Sequence, residues 1–306
     1  MENAGGLEPP SPAPSPRWVI IAALFAVYVI WGSTYLVMRI GLETIPPFMM
    51  GGSRFLIAGL VLFGFLRARG APSPSVKEWG AAVKVGVLLL VAGNGFIALA
   101  EQRVSSSVAA MVVATVPLWM ALLSSFTGQR PSRLEWVGLL LGFAGVALLQ
   151  ASGQLDAEPL MVVGLLLAPF SWALGSVWSK RLPLPKGAMA TAAEMIAGGS
   201  AMLVVSLARG ERLTAAPSAR SIAAVAFLVV FGSIVAFSAY GFLLRATRPA
   251  IATSYAYVNP VVALLLGVLL AGEHAGPMTW AAAAIILAGV VILSIERARA
   301  ATPKPA

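Results

Sequence analysis

Two ionisable residues sit inside stretches otherwise suited to a bilayer: Arg54 in "MMGGSRFLIAG" and Glu194 in "AMATAAEMIAGG". A charge at the centre of an apolar helix costs roughly 2.5 to 3.5 kcal/mol on insertion scales, so each must reach a rim, a partner or internal water. In one reading Arg54 snorkels to its nearer rim, beside Glu43 or Glu101, and Glu194 does the same at the opposite rim. In the other, both face a central pathway, where Arg54 attracts an anionic group and Glu194 binds a cationic group or a coupling proton. Little else is available for chemistry. The chain has no cysteine and a single histidine, His274, and the only other ionisable residue at membrane depth is Lys84, near a span end. A membrane-embedded lipid-modifying enzyme stays as a lesser alternative; it would need a convergent acid, base, nucleophile or metal-ligand set, and the intramembrane ionisable residues reduce to Arg54, Lys84 and Glu194. No metal site, cofactor site or ATP-binding P-loop is expected.

The elements that hold these residues are set by composition. Apolar residues make up 59% of the 306 and charged ones only 11%, against about 25% charged in soluble domains. Apolar runs of about 20 residues recur without strand alternation, and irregular backbone cannot face lipid, so the spans are helices. They fall near 18–38, 48–66, 79–100, 104–126, 134–150, 160–179, 187–208, 221–243, 249–272 and 278–295. The fold class is an all-α integral membrane protein with ten transmembrane helices. A Pro-rich segment, 1–16, reads as a disordered tail without the basic start of a signal peptide. Residues 297–306 form a basic tail. The net charge of +9 is spread through short gaps with no long basic run, which argues against nucleic acid. Arg39, Arg103, Arg209, Arg212 and Arg220 fall on one side and fourteen Lys and Arg on the other, so both termini are expected to be cytoplasmic.

The halves echo each other. Gly32-Ser33 and Gly175-Ser176 lie 143 residues apart, as do Pro117 and Pro260, while Gly128 and Gly272 are 144 apart. Laying Ala58-Gly59 on Gly198-Gly199 pairs Arg54 with Glu194 to within one residue. Two units, 17–151 and 158–296, follow. Five spans per unit is odd, so the second enters the membrane inverted, as in many secondary transporters. Pro117 and Pro260 remove hydrogen bonds to the carbonyls of Val113 and Ala256, so both helices should kink. The polar and aromatic residues at membrane depth are Trp31, Ser33, Thr34, Tyr35, Asn94, Trp119, Trp172, Tyr240, Tyr255, Tyr257 and Asn259. As a group they suit an amphipathic organic solute better than an inorganic ion. Gly138, Gly142 and Gly145 in the fifth span, and Ala281, Ala284, Ala288 and Gly289 in the tenth, allow close helix approach. That pattern fits packing within the chain and a homodimer equally. Glu273 and His274, in a turn, are expected at the surface.

The stretches "YVIWGSTYLVMRIGLETIPPFMMGGSRFL" (28–56), "VVATVPLWMALL" (112–123) and "ATSYAYVNPVVALLLGVLLAGE" (252–273) resemble the EamA family of the drug/metabolite transporter superfamily. The resemblance runs from Trp18 to about Ile295. It implies ten helices in two inverted repeats, cytoplasmic termini, a bacterial inner-membrane location and a central cavity for exporting small metabolites, amino acids or drugs. It leaves the solute open, and an importer or facilitator stays as the alternative.

Overall fold

The computed structural model describes residues 16–126, 132–151, 158–247 and 254–300. The Pro-rich tail, Gly128 and residues 301–306 lie outside them. Helix occurs in the described part of each of the ten apolar stretches, residues 249–253 of the ninth lying outside it, and no strand occurs among the described residues. The rods are α1 (Arg17–Gly41), α2 (Pro47–Ala68), α3 (Val76–Ala100), α4 (Ser106–Val113, resuming as Val116–Ser125) and α5 (Arg133–Ala151). In the second half they are α6 (Pro159–Ser179), α7 (Ala188–Ala208), α8 (219–246), α9 (Tyr255–Ala271) and α10 (Pro277–Ala300). Among the described residues seven stretches are long and apolar enough to cross a membrane, with shorter apolar helices at Val258–Ala271 and Pro277–Ile292. The last helix continues through Ala300, so the basic tail begins as helix.

Local signals set the ends. Ser75 and Glu78 form a reciprocal capping box at the start of α3, and Ser132 and Glu135 do the same before α5, each satisfying two otherwise orphaned groups. Gly272 ends α9 in the left-handed region at φ 64°, where a side chain would be strained. The chain then turns so that the Glu273 N–H donates to the Gly267 carbonyl at 2.9 Å.

Corresponding helices of the two halves pack on each other. At the α2–α7 crossing, a Cβ on Gly59 would lie 2.8 Å from the Ile196 nitrogen, and one on Gly199 2.6 Å from the Leu56 nitrogen. At the α5–α10 crossing, a Cβ on Gly289 would meet the Gly138 carbonyl at 2.6 Å, and one on Gly145 the Ala282 carbonyl at 3.0 Å. Both pairings run antiparallel, so the halves pack in opposite senses, as inversion requires. The small-residue faces of α5 and α10 therefore serve packing within the chain.

Pro117 breaks its helix as expected: α4 stops at Val113 and restarts at Val116. Pro260 lies inside α9, five residues after the helix's described start, and residues 248–253, ahead of that helix, lie outside the described residues. A third interruption was not anticipated. Pro169 lies within α6, and the 143-residue offset lays it on Ala26, immediately before a wide π turn at Val27–Trp31 in α1. The same level of both first helices thus has a disturbed ladder, by proline in one copy and by i→i+5 bonding in the other.

Candidate binding site between the two halves

The third helices, α3 and α8, also contain π stretches, at Val87–Gly95 and Leu228–Val235. Such turns loosen the i→i+4 ladder and leave carbonyls open to outside donors. In each half, the first helix of the other half supplies one. Trp31 Nε1 of α1 donates to the Gly232 carbonyl at 3.2 Å, and Ser171 Oγ of α6 donates to the Leu88 carbonyl at 2.8 Å. Leu88 and Gly232 match to within one residue under the 143-residue offset. Trp172 then lies over Gly93, where a Cβ would sit 3.1 Å from its ring.

Around Trp31 the structure builds an aromatic wall from both halves. Ring centroids of Phe237, Tyr240 and Tyr255 lie 5.1, 5.3 and 4.9 Å from that of Trp31, and Tyr240 and Tyr255 are 5.5 Å apart. These spacings suit edge-on and tilted aromatic contacts. Tyr28 OH lies 2.5 Å from Ser254 Oγ, closing the wall below. Tyr35 lies within electrostatic reach of Tyr255.

Not every predicted residue joins this group. Ser33 and Thr34 spend their hydroxyls on the carbonyls of Ile30 and Trp31, at 2.8 and 2.6 Å. Asn94 Nδ2 bonds the Leu89 carbonyl of its own π stretch at 3.4 Å. Trp119 packs on Phe143 and Phe170, with centroids 4.8 and 5.3 Å away, and lines a separate apolar cavity of ≈ 340 Å³ with Val112, Thr115 and Leu122. Asn259 is 6% exposed, and its Oδ1 has no partner among the described residues. Tyr257 lies on α9, but its side chain is outside the described set.

Arg54 does not snorkel. It is 4% exposed, its Nε donates to Ser233 Oγ at 3.0 Å, and its guanidinium lies 4.6 Å from the Phe55 ring centroid. A Cβ on Gly232 would stand 3.0 Å from an Arg54 terminal nitrogen, so glycine there lets α8 approach the guanidinium. Glu43 instead pairs with Arg220 at 3.3 Å. Glu194 is half-buried on α7, where its carbonyl oxygen packs 2.7 Å from the place of a Gly86 Cβ. The antiparallel α2–α7 register sets the Arg54 and Glu194 levels about six residues apart, roughly 9 Å along the helices. The two charges therefore stand at separate heights and form no pair.

Above Arg54, the end of the bundle holding the 3–4 and 9–10 turns is tied by long-range carboxylate contacts. Glu211 accepts the N–H groups of Phe48 and Met49, at 3.4 and 2.9 Å, at the start of α2. Glu273, expected at the surface, is turned inward with its side chain 4% exposed. It accepts the backbone N–H groups of Ser106 and Ser107 at 2.8 and 3.1 Å, the Ser106 hydroxyl at 2.7 Å and the Ser107 hydroxyl. Arg39 donates to it at 2.5 Å. Carboxylates favour helix N-termini, where orphaned N–H groups and the dipole meet. Burial alone would push the Glu273 carboxyl up, but the serine bonds prevail and hold it below the usual carboxylate range. A Cβ on Gly267 would collide with this carboxylate, so glycine makes the contact possible. Beside it Glu101 is 2% exposed, and neither carboxyl oxygen has a partner among the described residues. Sequence patterns flag neither role, because both depend on where distant turns meet.

A polytopic helical bundle of two antiparallel, interlocked halves with ionisable groups inside is the build of many secondary transporters. Residues 17–150 and 159–295 each match the EamA-like transporter family, and the chain belongs to it. It is 47% identical over 279 residues to the uncharacterized inner membrane transporter YedA of Escherichia coli strain K12, covering 91% of each chain. It is 23% identical to a probable amino-acid metabolite efflux pump of the same strain, covering 87% of this chain and 91% of that one. A solved crystal structure at 20% identity shares the fold, with a TM-score of 0.64 over 92% of this chain and 99% of its own.

Proposed function

We propose that this protein is a secondary transporter that exports small organic solutes, such as amino acids, related metabolites or drugs, by alternating access. The reading places ten spans as two inverted five-helix units in a bacterial inner membrane, with both termini cytoplasmic as the arginine and lysine bias favours. The observation that carries it is Arg54. Its guanidinium is buried between the halves, against α8 and close to the Trp31 wall, with no carboxylate at ion-pair distance among the described residues. A buried cation of this kind invites an anionic group, and the wall of Trp31, Tyr240 and Tyr255 offers apolar faces for the rest of the solute. Glu194, on the far side of the midplane, would take a cationic group.

Uptake of labelled amino acids and cationic drugs into proteoliposomes, with and without a pH gradient, tests this. Saturable uptake by the parent is expected, with loss in Arg54→Ala and in Glu194→Gln at equal insertion. Full transport by both variants, or no movement of any compound, overturns it.

A further inference from the structure

Glu101 has a role that the transport reading does not assign. It follows α3 directly, with both carboxyl oxygens sealed from solvent and unbonded among the described residues. An ionised carboxylate left so would forfeit its hydration without compensation, a cost of several kcal/mol that proteins avoid by neutralising the group. The charged and titratable groups facing it are Glu273 from the turn after α9, Arg39 and Tyr35 from α1, and Arg54 from α2. Burial and the neighbouring Glu273 push the Glu101 carboxyl well above the usual range, and Arg39 and Arg54 oppose this without prevailing. Arg39 is already engaged with Glu273, and Arg54 with Ser233.

We infer that Glu101 binds an exchangeable proton, which it holds while the Arg39–Glu273 end of the bundle is shut and releases when that end opens to water. The ligand is a proton and not a metal cation, because a hard cation needs about six oxygen ligands and no acidic or histidine cluster exists among the described residues. The contacts that tie α4 to the turn after α9, Glu273 on Ser106 and Ser107, lie at the same end of the bundle as Glu101, whose carboxyl feels the Glu273 charge. Breaking those contacts would admit water to both carboxyls at once, so opening and deprotonation are linked. The shut state binds one more proton than the open state. Low pH therefore favours the shut state, and rising pH shifts the balance toward the open one, by at most tenfold per pH unit for one proton. This rests on the alternating-access reading, but its test needs no solute, so a failed transport assay and a failed proton site are separable.

The chain has no native cysteine, so spin labels can be placed uniquely through Gln102→Cys and Met278→Cys, both exposed positions on opposite halves of this end. Their separation would be measured in nanodiscs from about pH 6 to about pH 9. In the parent, the longer distance should gain population with pH. In Glu101→Gln, which mimics the protonated side chain, the shorter distance should dominate throughout. Infrared difference spectra of the same two proteins at neutral pH should show one protonated-carboxyl band in the parent that Glu101→Gln lacks. A distance distribution that ignores pH in the parent, one that keeps its pH response in Glu101→Gln, or absence of the carboxyl band would each overturn the proposal.

Discussion

The Glu273 carboxylate accepts the Ser106 backbone N–H at 2.8 Å across 167 residues of sequence, joining the turn after α9 to the first turn of α4. This contact binds the second half of the chain to the first. Hydrogen bonds to a charged acceptor are worth about 1.5 to 3 kcal/mol each, and not additively. Glu273→Ala should therefore lower unfolding stability in detergent by about 3 kcal/mol, with Glu273→Gln intermediate because it keeps part of the bonding. Denaturant or thermal unfolding of the purified protein checks both.

The same carboxylate predicts an acid limit. Its proton affinity is lower in the folded protein than in the unfolded chain, so its contribution is fully present above the ordinary carboxylate range. It is lost as pH falls through the folded value. Glu101 has the opposite sign at this end: its contribution to the shut state is complete in acid and is lost as pH rises toward its raised value. Protection of the Ser106 and Ser107 amides from hydrogen exchange, corrected for the intrinsic rate, should peak at mildly acidic pH and fall on either side. A flat profile would contradict both assignments.

Gly289 faces the backbone of α5, with a would-be Cβ 2.6 Å from the Gly138 carbonyl and 2.7 Å from the Gly142 nitrogen. Backbone cannot yield as a side chain can. Gly289→Ala should force the helices apart and destabilise by about 1 to 3 kcal/mol, without changing the oligomeric state, because this face is used within the chain. Thermal unfolding with light scattering on the same sample reads both outcomes. A shift in mass would mean that the face also serves another copy.

Gly232 admits the Arg54 guanidinium to α8, with a terminal nitrogen 3.0 Å from the place of a Cβ. Gly232→Ala should displace the guanidinium and reduce transport several-fold while folding persists. Ser233→Ala, which removes only the bond to Nε, should raise KM more than it lowers maximal rate. Initial rates in proteoliposomes distinguish the two effects.

Much of the architecture was legible because the bilayer imposes simple rules. Lengths of apolar runs place the helices, and the repeated Gly-Ser and Pro positions point to two units; residues 17–150 and 159–295 each match the family. Pro117 breaks α4 where the missing N–H said it would. The misses share a cause. Glu273 in a short polar turn looked solvent-facing, yet its position is set by Gly272, Gly267 and a helix start far away in sequence. Ser33 and Thr34 looked available at membrane depth, yet their hydroxyls return to their own helix, as Ser and Thr in apolar helices often do. Arg54 was legible as an oddity, but whether it faced the rim or the interior depended on Ser233 and Gly232, 179 and 178 positions away. The π stretches leave no periodic signature in the sequence, and two of them accept bonds from the other half, at Leu88 and Gly232.

The two carboxylate ties, Glu211 on α2 and Glu273 on α4, both fall at one end of the bundle. Their counterparts in the first copy are Ala71, by the α2–α7 alignment, and the Gln129-Arg130 step, by the proline and glycine offsets; neither supplies a carboxylate. A perfectly duplicated machine would be a seesaw balanced on its pivot. Here, among the described residues, only one end of the bundle carries such ties, so in the proposed alternating-access cycle the two end states differ in weight, and opening that end begins by lifting it.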